Sequence, residues 1–595
     1  MATLQTARRV APRVSNVALR ARRRDVVVAL ALCVGLAVLF AAGVWTHLGT
    51  RWLGDAGDPQ QTTWFLRWTP YAITHGQDPL LTDRMVAPGG VNLMWNTPVM
   101  LLGVLLAPIT LTLGAVVAYN VAVMLALAAS GFAAYLALRR VVGPGAAALV
   151  GALFYEFSPY TTAHALGQLN LTVAVLPPLL VLLLHEVLVR RRWSARRAGP
   201  ALGALAVLQA FVSQEMLASS GIAAVVFIAV LWWRGGRTRA DVPRRAAAAL
   251  GLALTVFVPL MAVPLAVQLL GPQALHGAVQ TPGVFVGDLL GLVVPTQSQL
   301  LSTPDALAVS GHFSGNPVEW TGYLGVPLLV LWAAAAARWW RRDPRVRVAS
   351  ICGLVFLVLS LGPSLHVGGV DTRVPLPWAA VDHVPFLSDL LPARLSVYVD
   401  LCAAVVLAIT VQNVLSMRVA AQRRHALLAL AIVGVSILPA MPLPTDTVPV
   451  PSFFTSGAAA ALPAEGSVLV APFTTDFTAV APMAWQAAAD LAYRMPGGYA
   501  MVPDGSGAAH QGPLPTALSD ALQSIAAGHG APPITDGLRA RMRDDLRHWD
   551  VRAALVGPMS HGDEATAFLT TLFGCTPQHV GGVDVWWHAG ADGCG

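Results

Sequence analysis

The sequence predicts a polytopic α-helical membrane protein that ends in an α/β domain outside the membrane. Three observations lead to this prediction: 55% of the 595 residues are hydrophobic, only 12% are charged, and the basic residues cluster between apolar runs. An apolar fraction this high in a chain of this length excludes an ordinary soluble protein. The placement of the arginines between apolar runs indicates membrane topology. The net charge of +7 is explained by this placement, so no nucleic-acid partner is expected.

The apolar runs predict about eleven spans within a transmembrane domain at 26–441. Their approximate bounds are 26–46, 117–138, 144–157, 169–189, 199–213, 216–233, 246–269, 321–338, 346–362, 394–413 and 425–441. With the N-terminus inside, 27 of the 38 arginines fall in cytoplasmic segments and five in the outer loops before residue 450. Since cytoplasmic segments collect basic residues, this asymmetry predicts a cytoplasmic basic tail at 1–25 and an extracytoplasmic C-terminus, in the plasma membrane.

Two segments follow the first span on the outer side. The first outer loop, 49–97, contains TTWFLRWTPYAITHG, whose apolar and aromatic pattern predicts an amphipathic helix lying at the membrane interface. The apolar run 98–113 cannot cross without placing Arg139 and Arg140 outside. It is therefore predicted to be a re-entrant or surface-lying segment that packs on protein.

The composition changes after Met441. A Pro-rich linker at 442–457 is followed by a region of 458–595 with the hydropathy of a soluble domain. The segments GSVLVAPF, VRAALVGP and VDVWWH have the pattern of strands, and DGLRARMRDDLRHWD and DEATAFLTTLFG have the pattern of helices. An extracytoplasmic α/β domain is therefore predicted.

The five cysteines divide between the two parts of the chain. Cys33, Cys352 and Cys402 fall in predicted spans, where a thiol is usually a small apolar residue. Cys575 and Cys594 fall in the external domain and are predicted to form a disulfide, with two free thiols as the alternative. The sequence contains no CxxC, HExxH or Walker-type motif, so no structural zinc, no zinc-protease site and no ATP-driven motor is predicted.

The first outer loop opens with GDAGDPQQTTWFLRW, which places Asp55 and Asp58 three residues apart directly after an apolar segment. One interpretation is structural: Asp58 precedes Pro59 and could cap the helix that follows. The other is catalytic, with one of the two carboxylates acting as a general base. Asp58 is the first choice for that base and Asp55 the second.

Further polar residues gather at the outer ends of the predicted spans, where ionisable groups are functional candidates. Arg394 is a candidate for binding an anion, because outer arginines are few, and its alternative role is to reach the lipid headgroups. Glu156 and Glu215 are candidates for a substrate pocket, and they could instead be paired structural carboxylates. The other candidates are His164 and His383 for the anion, and Gln168, Asn170, His312, Glu319 and Tyr398 for a substrate pocket.

A carboxylate in an outer loop, a guanidinium at the lipid boundary and the lack of a nucleotide motif together suggest sugar transfer outside the cell. The arginine would hold a lipid-borne phosphate, and the carboxylate would take a proton from an acceptor hydroxyl. Because nucleotide sugars are absent there, the expected donor is a polyprenyl-phosphate sugar. The expected acceptor is a glycan or glycolipid of the cell envelope, reached from the lipid bilayer.

Several segments carry a family resemblance: GDAGDPQQTTWFLRW, PGGVNLMWN, AYNVAVMLALAASGFAAYLALRR, FSPYTTAHALGQLNL, LGPSLHVGG and LPARLSVYV. Over about 25–440 the chain resembles actinobacterial membrane proteins of the GT-C glycosyltransferase superfamily, including YfhO-like members. The resemblance implies a multi-span GT-C-like fold, a catalytic Asp in the first outer loop, a lipid-phosphate sugar donor and inversion at the anomeric carbon. It also implies that no metal is required, although Asp55, Asp58 and Glu156 could hold a divalent cation through oxygen ligands.

Two other classes of function stay open. A lipid or polysaccharide transporter or flippase would use polar residues such as Ser213–Glu215 to line a pathway, which needs polar groups at successive depths. A non-catalytic envelope assembly protein would bind through its external domain. In that domain a Gly/Pro-rich loop carries Arg494, Tyr499, Asp504 and His510, and turn chemistry favours an ordinary exposed loop there.

Overall fold

The fold is described by a computed structural model that covers residues 16–234, 240–277, 279–280, 283–384 and 387–594. The predicted basic tail therefore lies mostly outside the described residues. Within them, a helical part precedes residue 442 and an α/β domain follows residue 457. The two parts pack directly against each other.

The helical part consists of apolar helices separated by turns that contain Gly, Pro or arginine clusters. In chain order the helices are α1 (Asn16–Phe40), α2 (Asp58–Thr74), α3 (Met100–Leu105), α4 (Ala107–Leu113), α5 (Ala115–Val141), α6 (Ala146–Glu156), α7 (Pro159–His164), α8 (Leu169–Thr172), α9 (Leu176–Leu184), α10 (Ala195–Ala210), α11 (Gln214–Arg234), α12 (Asp241–Leu270), α13 (Pro304–Ser310), α14 (Val326–Trp339), α15 (Pro344–Ser360), α16 (Ser396–Leu415) and α17 (Ala420–Ser436).

Five helices in the described part of the chain are long and apolar enough to cross a membrane. They are Ala115–Val141, Leu169–Val189, Gln214–Arg234, Asp241–Leu270 and Pro392–Leu415. Each coincides with a predicted span. The other predicted spans fall on helices that do not meet both criteria, such as α14 with 14 residues and α17 with 17. The count of about eleven therefore stays a prediction.

The segment 98–113 forms two short helices, α3 and α4, which meet at Leu106 just before Pro108. Both helices pack against α2, and α4 also packs against α5. Contact with protein on more than one side is what the predicted re-entrant segment requires. Its position relative to the bilayer remains a prediction.

Short strands connect the outer loops. They are β1 (Trp52–Leu53), β2 (Leu81–Thr82), β3 (Val91–Asn92), β4 (Ser364–Val367), β5 (Val370–Pro375) and β6 (Thr445–Asp446). The antiparallel pairs are β2 with β3, β4 with β5 and, over the longest distance in sequence, β1 with β6. The last pair ties the predicted Pro-rich linker to the start of the first outer loop.

The C-terminal domain is an α/β domain built on a four-stranded sheet. Its elements are β7 (Ser467–Ala471), β8 (Met501–Pro503), β9 (Ala509–Gln511), β10 (Val551–Val556), β11 (Gln578–Val580), β12 (Val583–Trp586), β13 (Ala589–Gly590) and β14 (Gly593–Cys594), with helices α18 (Ser452–Thr455), α19 (Ala481–Ala488), α20 (Ala517–Ala526), α21 (Asp536–His548) and α22 (Gly562–Phe573). The strand order is β11-β12-β10-β7, with β10 and β7 parallel and the other pairs antiparallel. A disulfide joins Cys575 to Cys594.

The two faces of this sheet belong to different hydrophobic cores. Alternate residues such as Leu469 and Ala554 pack with α20, α21 and α22. The residues between them, such as Val470 and Leu555, belong to one buried cluster with Trp64 and other side chains of α2. The C-terminal domain and the first outer loop therefore share a core.

The aromatic residues that were expected to hold α2 at the membrane interface are covered by protein, and the position of α2 relative to the bilayer stays a prediction. Trp64 and Trp68 are buried, and their rings stack at 5.7 Å. The Trp64 indole N–H donates to Gln486 Oε1 in the C-terminal domain at 2.6 Å. An amphipathic pattern identifies one apolar face, whereas α2 is covered by α3, α4, α5 and α19.

Candidate active site

A cavity of about 460 Å³ lies where α2, the loops at the ends of the helices and the C-terminal domain meet. Its apolar side includes Phe211, Leu265 and Leu269, and Leu269 is partly exposed near the end of α12. Its polar side has the guanidinium of Arg394 and many carboxylates and carboxamides, including Asp58, Gln61, Gln168, Asn170, Glu215, Asp389 and Gln511. A concave, partly apolar site with convergent polar groups is typical of a small-molecule site.

Asp58 is the first residue of α2, and its carboxylate lines the cavity. The Tyr499 hydroxyl of the C-terminal domain donates to Asp58 Oδ1 at 2.8 Å. Burial raises the pKa of Asp58 above its ordinary value, and the hydrogen bond from Tyr499 and the charge of Arg394 offset this only in part. A carboxyl with a raised pKa is a better proton acceptor than an ordinary aspartate.

The alternative role of Asp58 as a helix cap has no support in the structure. Gly57 is the N-cap residue, and the Asp58 side chain makes no cap hydrogen bond. The free N–H of Gly57 is instead bonded by Gln60 Oε1 at 2.8 Å. The Asp58 carboxylate is therefore not used in capping α2, and it lines the cavity.

Asp55 differs from Asp58 in its position. It is more exposed than Asp58 and is not among the residues that line the cavity, although its backbone N–H donates to Leu166 O at 2.7 Å. Partial burial and the charge of Asp446 raise the pKa of Asp55. The placement favours Asp58 over Asp55 as a base.

Arg394 lies in the turn that leads into α16, between two carboxylates from distant parts of the chain. Its Nε donates to both oxygens of Glu319 at 3.1 Å, and its Nη2 also bonds Glu319. Its Nη1 bonds Glu215, the second residue of α11. The sequence predicted an anion as the partner of Arg394, and the structure provides two carboxylates as its immediate partners.

This triad, defined as Glu215, Arg394 and Glu319, carries one more carboxylate than guanidinium. Gln168 Nε2 donates to Glu319 Oε1 at 3.1 Å, which links the triad to the loop beside Asp58. Burial raises the pKa of Glu319, but the charge of Arg394 and its hydrogen bonds outweigh it, so the net shift is downward. Glu319 is therefore ionised at neutral pH and fixes the guanidinium in place.

His164, at the end of α7, is fully buried close to the triad. Its ring contacts Tyr160 edge-on at 4.3 Å between centroids, and neither ring nitrogen has a hydrogen-bond partner among the described residues. Burial lowers the pKa of His164 to about 4, against the opposing effect of Glu319. His164 is therefore neutral at physiological pH, so it would not supply positive charge to an anion.

The structure places the remaining candidates in two groups. Gln168, Asn170 and Glu215 line the cavity with Asp58 and Arg394, and Glu319 lies directly behind them. The others lie elsewhere: Glu156 is buried against Gly131, the Tyr398 hydroxyl bonds Ser219 and Ser220, and His312 and His383 are exposed.

The residues considered for a divalent cation do not come together. Asp55 is exposed, Asp58 lines the cavity and Glu156 is buried among helices. Within the described ranges, no group of three or more His, Cys, Asp or Glu residues could hold a metal ion.

The sequence reasoning gave too little weight to the residues that the C-terminal domain supplies. Tyr499, Met501 and Gln511 line the cavity, and all belong to the loop in which an ordinary exposed turn was favoured. The signal that could have identified them is Gly497–Gly498, because adjacent glycines permit close backbone approach. A Cβ on Gly498 would lie 2.9 Å from the Met85 side chain.

Solved structures of two membrane enzymes are similar to this chain. It is similar to the oligosaccharyltransferase AglB from Archaeoglobus fulgidus in complex with an inhibitory peptide and a dolichol-phosphate, with 12% identity, 90% of this chain and 70% of that chain covered, and a TM-score of 0.48. It is also similar to ArnT from Cupriavidus metallidurans bound to undecaprenyl phosphate, with 11% identity, 96% and 98% covered, and a TM-score of 0.46.

No curated protein sequence matches the chain. Residues 28–387 match the family described as domain of unknown function DUF6311. Since this match covers more than half of the chain, the protein belongs to the DUF6311 family.

Proposed function

We propose that this protein is a GT-C type membrane glycosyltransferase that moves a sugar from a polyprenyl-phosphate donor to an extracytoplasmic cell-envelope acceptor. The observation that carries the proposal is the position of Asp58. Its carboxylate, with a raised pKa, lines the same cavity as Arg394 and several carboxamide side chains. The actinobacterial, YfhO-like resemblance and the location in the plasma membrane are part of the same proposal.

In the proposed mechanism, Asp58 accepts the proton of an acceptor hydroxyl while that oxygen attacks C1 of the donor sugar. The new C1–O bond forms on the face opposite the leaving group, so the configuration at C1 is inverted. The bond between C1 and the phosphate oxygen breaks, and polyprenyl phosphate leaves with the bonding electron pair. No net oxidation or reduction occurs, and the proton finally passes to solvent.

Arg394 is proposed to hold the donor phosphate. Arginine has five N–H groups, and the contacts to Glu215 and Glu319 leave some of them free to bond a phosphate oxygen. The two carboxylates would keep the guanidinium in position before the donor arrives, which lowers the cost of ordering it. Gln168 and Asn170 would bond sugar hydroxyls, because a carboxamide both donates and accepts.

The apolar side of the cavity is suited to the lipid part of the donor. Leu265 and Leu269 of α12 line it together with Phe211, and α12 has many exposed apolar side chains. The polyprenyl chain would pass along this side while its phosphate lies near Arg394. The reaction is proposed to need no metal, and activity that persists with a chelator would be the expected result.

The gathering of these polar groups beside the C-terminal domain favours transfer over transport. A transporter needs polar residues at successive depths of the membrane. The cavity instead combines a base, an arginine and carboxamides next to a domain outside the predicted spans.

The test is release of polyprenyl phosphate by the purified protein in lipid nanodiscs, with a panel of polyprenyl-phosphate sugars and crude envelope acceptor. We expect one donor to release its lipid and to yield a product with the inverted anomeric linkage, as determined by NMR. Release with retained configuration would contradict the proposed single displacement. If no donor reacts, the transporter and binding alternatives replace the proposal.

A further inference from the structure

We propose that the C-terminal domain completes the catalytic cavity and that Tyr499 is a positioning residue for Asp58. This inference rests on the proposed role of Asp58 as the base. Tyr499 would hold the Asp58 carboxylate in one orientation through its hydroxyl and would keep the carboxylate form available to the acceptor. The family match ends at residue 387, so it does not include this domain.

Two hydrogen bonds, one from the side chain and one to the backbone of Tyr499, hold this residue against α2. The Tyr499 hydroxyl donates to Asp58 Oδ1 at 2.8 Å, which leaves Oδ2 without this bond. One turn further along α2, Gln61 Nε2 donates to the Tyr499 backbone carbonyl at 2.7 Å. The side chain and the backbone of Tyr499 are therefore both bonded to the helix that carries the base.

The hairpin of β8 and β9, which follows Tyr499, is held from two sides of the cavity. On one side, Asn96 accepts from the Met501 N–H at 2.6 Å and donates to the Met501 carbonyl at 3.0 Å. On the other side, the N–H of His276, beyond α12, donates to Gly507 O at 2.8 Å. The hairpin thus covers the cavity between the first outer loop and the segment after α12.

A shared hydrophobic core joins the C-terminal domain, which carries this hairpin, to the first outer loop. Residues of β7, β10 and β12 belong to the same buried cluster as Trp64 and Phe65 of α2. Removing the whole domain would expose this core, so a truncation would report folding instead of catalysis. A single-atom change in Tyr499 isolates the positioning role.

The direction of the effect follows from the charges around Asp58. The groups that influence Asp58 from the packed elements are Tyr119, Gln168, Glu319, Arg394 and Tyr499. Removing the Tyr499 hydroxyl deletes a donor that favours the carboxylate, so the pKa of Asp58 would rise further. Because the base acts in its deprotonated form, the variant would lose activity at a higher pH than the wild type as the pH is lowered.

The experiment compares the wild type with Tyr499→Phe and with the matched control Tyr493→Phe. Tyr493 is a buried tyrosine of the same domain whose hydroxyl has no hydrogen-bond partner among the described residues. Two quantities are measured against pH: kcat/KM for the donor, and the rate at which dicyclohexylcarbodiimide labels Asp58, identified by peptide mass spectrometry. This reagent reacts with protonated carboxyls, so labelling does not depend on turnover.

For Tyr499→Phe we expect both midpoints to move about one to two pH units upward, the size expected for one hydrogen bond to a charged group. At pH values above both midpoints, kcat should fall about tenfold while KM for the donor changes little. Tyr493→Phe should match the wild type in both profiles. Thermal unfolding of both variants near the wild-type midpoint would establish that the effects are local.

The two proposals can fail separately. If the wild type transfers sugar and Tyr499→Phe leaves both profiles unchanged, the positioning role is refuted while the transferase stands. If no donor reacts with the wild type, the proposed function fails, and the labelling profile still decides whether Tyr499 controls the Asp58 carboxyl. A shift that also appears in Tyr493→Phe would overturn the inference, because it would reflect a general change in the domain.

Discussion

Replacing Arg394 with methionine should destabilise the protein by leaving two carboxylates unpaired. The Arg394 side chain is 16% exposed, and its partners Glu215 and Glu319 are 22% and 2% exposed, so solvent compensates little for the lost guanidinium. Breaking a buried ion pair by removing one partner costs about 3–5 kcal/mol. We therefore expect Arg394→Met to lower the free energy of unfolding by about that amount.

A triple variant separates the charge from the packing. In Glu215→Gln, Arg394→Met, Glu319→Gln the carboxylates become neutral amides of similar size, and no uncompensated charge remains. Because the amide oxygens can still accept the bonds from Gln168 and the Leu391 N–H, and no buried charge is left unpaired, we expect the triple variant to lie within about 2 kcal/mol of the wild type. It should still fail to release polyprenyl phosphate, because the proposed phosphate-binding guanidinium is absent.

The assay is reversible unfolding in mixed detergent and dodecyl sulfate micelles, followed by tryptophan fluorescence. Wild type, Arg394→Met and the triple variant are measured in parallel, and Glu215→Gln alone serves as a control that removes only one carboxylate. The reasoning is refuted if Arg394→Met is as stable as the wild type. It is also refuted if the triple variant is destabilised as much as Arg394→Met.

Three further outcomes are expected. As the pH falls, kcat/KM should be lost with a midpoint above the ordinary aspartate pKa of about 3.9, because burial raises the pKa of Asp58. A midpoint at or below about 3.9 would contradict the assignment of Asp58 as the base. Gly54→Ala should lower the free energy of unfolding by about 2 kcal/mol or more, because Gly54 has φ +100° and a Cβ there would lie 2.1 Å from Leu166 O. Gly35→Ala is the control and should be tolerated, because a Cβ at Gly35 would have no atom within 4 Å. Equal stabilities of the two variants would contradict this prediction. Cys594→Ser should cost about 2–5 kcal/mol by opening the C-terminal disulfide, and a reductant should lower wild-type stability to the same level but leave the variant unchanged.

Features that depend on local pattern were predictable from the sequence. The segments GSVLVAPF and VRAALVGP form β7 and β10, and the two predicted helices of the C-terminal domain form α21 and α22. The two strands are apolar and almost fully buried, and α21 begins at the capping residue Thr535, so local pattern and structure agree there. The five long apolar helices follow for the same reason, since length and hydropathy are properties of a single segment.

The surroundings of α2 and Arg394 depend on contacts that no local pattern encodes. The pairing of Arg394 with Glu215 joins residues 179 positions apart, and its pairing with Glu319 joins residues 75 positions apart. The contact of Tyr499 with Asp58 spans 441 positions. Periodicity identified α2 as a helix with aromatic residues, but only the tertiary fold determines that protein, instead of lipid, covers them.

The candidate site was predictable in part. Asp58 was predicted from the first outer loop, and Gln168, Asn170, Glu215 and Arg394 from the outer ends of the predicted spans and the loops beside them; all five line one cavity. The candidates that lie elsewhere show the limit of this reasoning, because a position at the end of a helix does not determine which way the side chain points. Glu156 is an example: it ends α6, but its side chain packs between helices.

The most direct test of the central claim compares Asp58→Asn with Asp55→Asn in the nanodisc assay, using the donor that the wild type accepts. Asparagine keeps the size of the side chain but cannot accept the acceptor proton as a carboxylate does. We predict that Asp58→Asn lowers kcat at least about a hundredfold, as expected for loss of a general base, and that Asp55→Asn stays within about threefold of the wild type. Equal activities of wild type and Asp58→Asn, or a larger loss in Asp55→Asn, would contradict the assignment of Asp58 as the base.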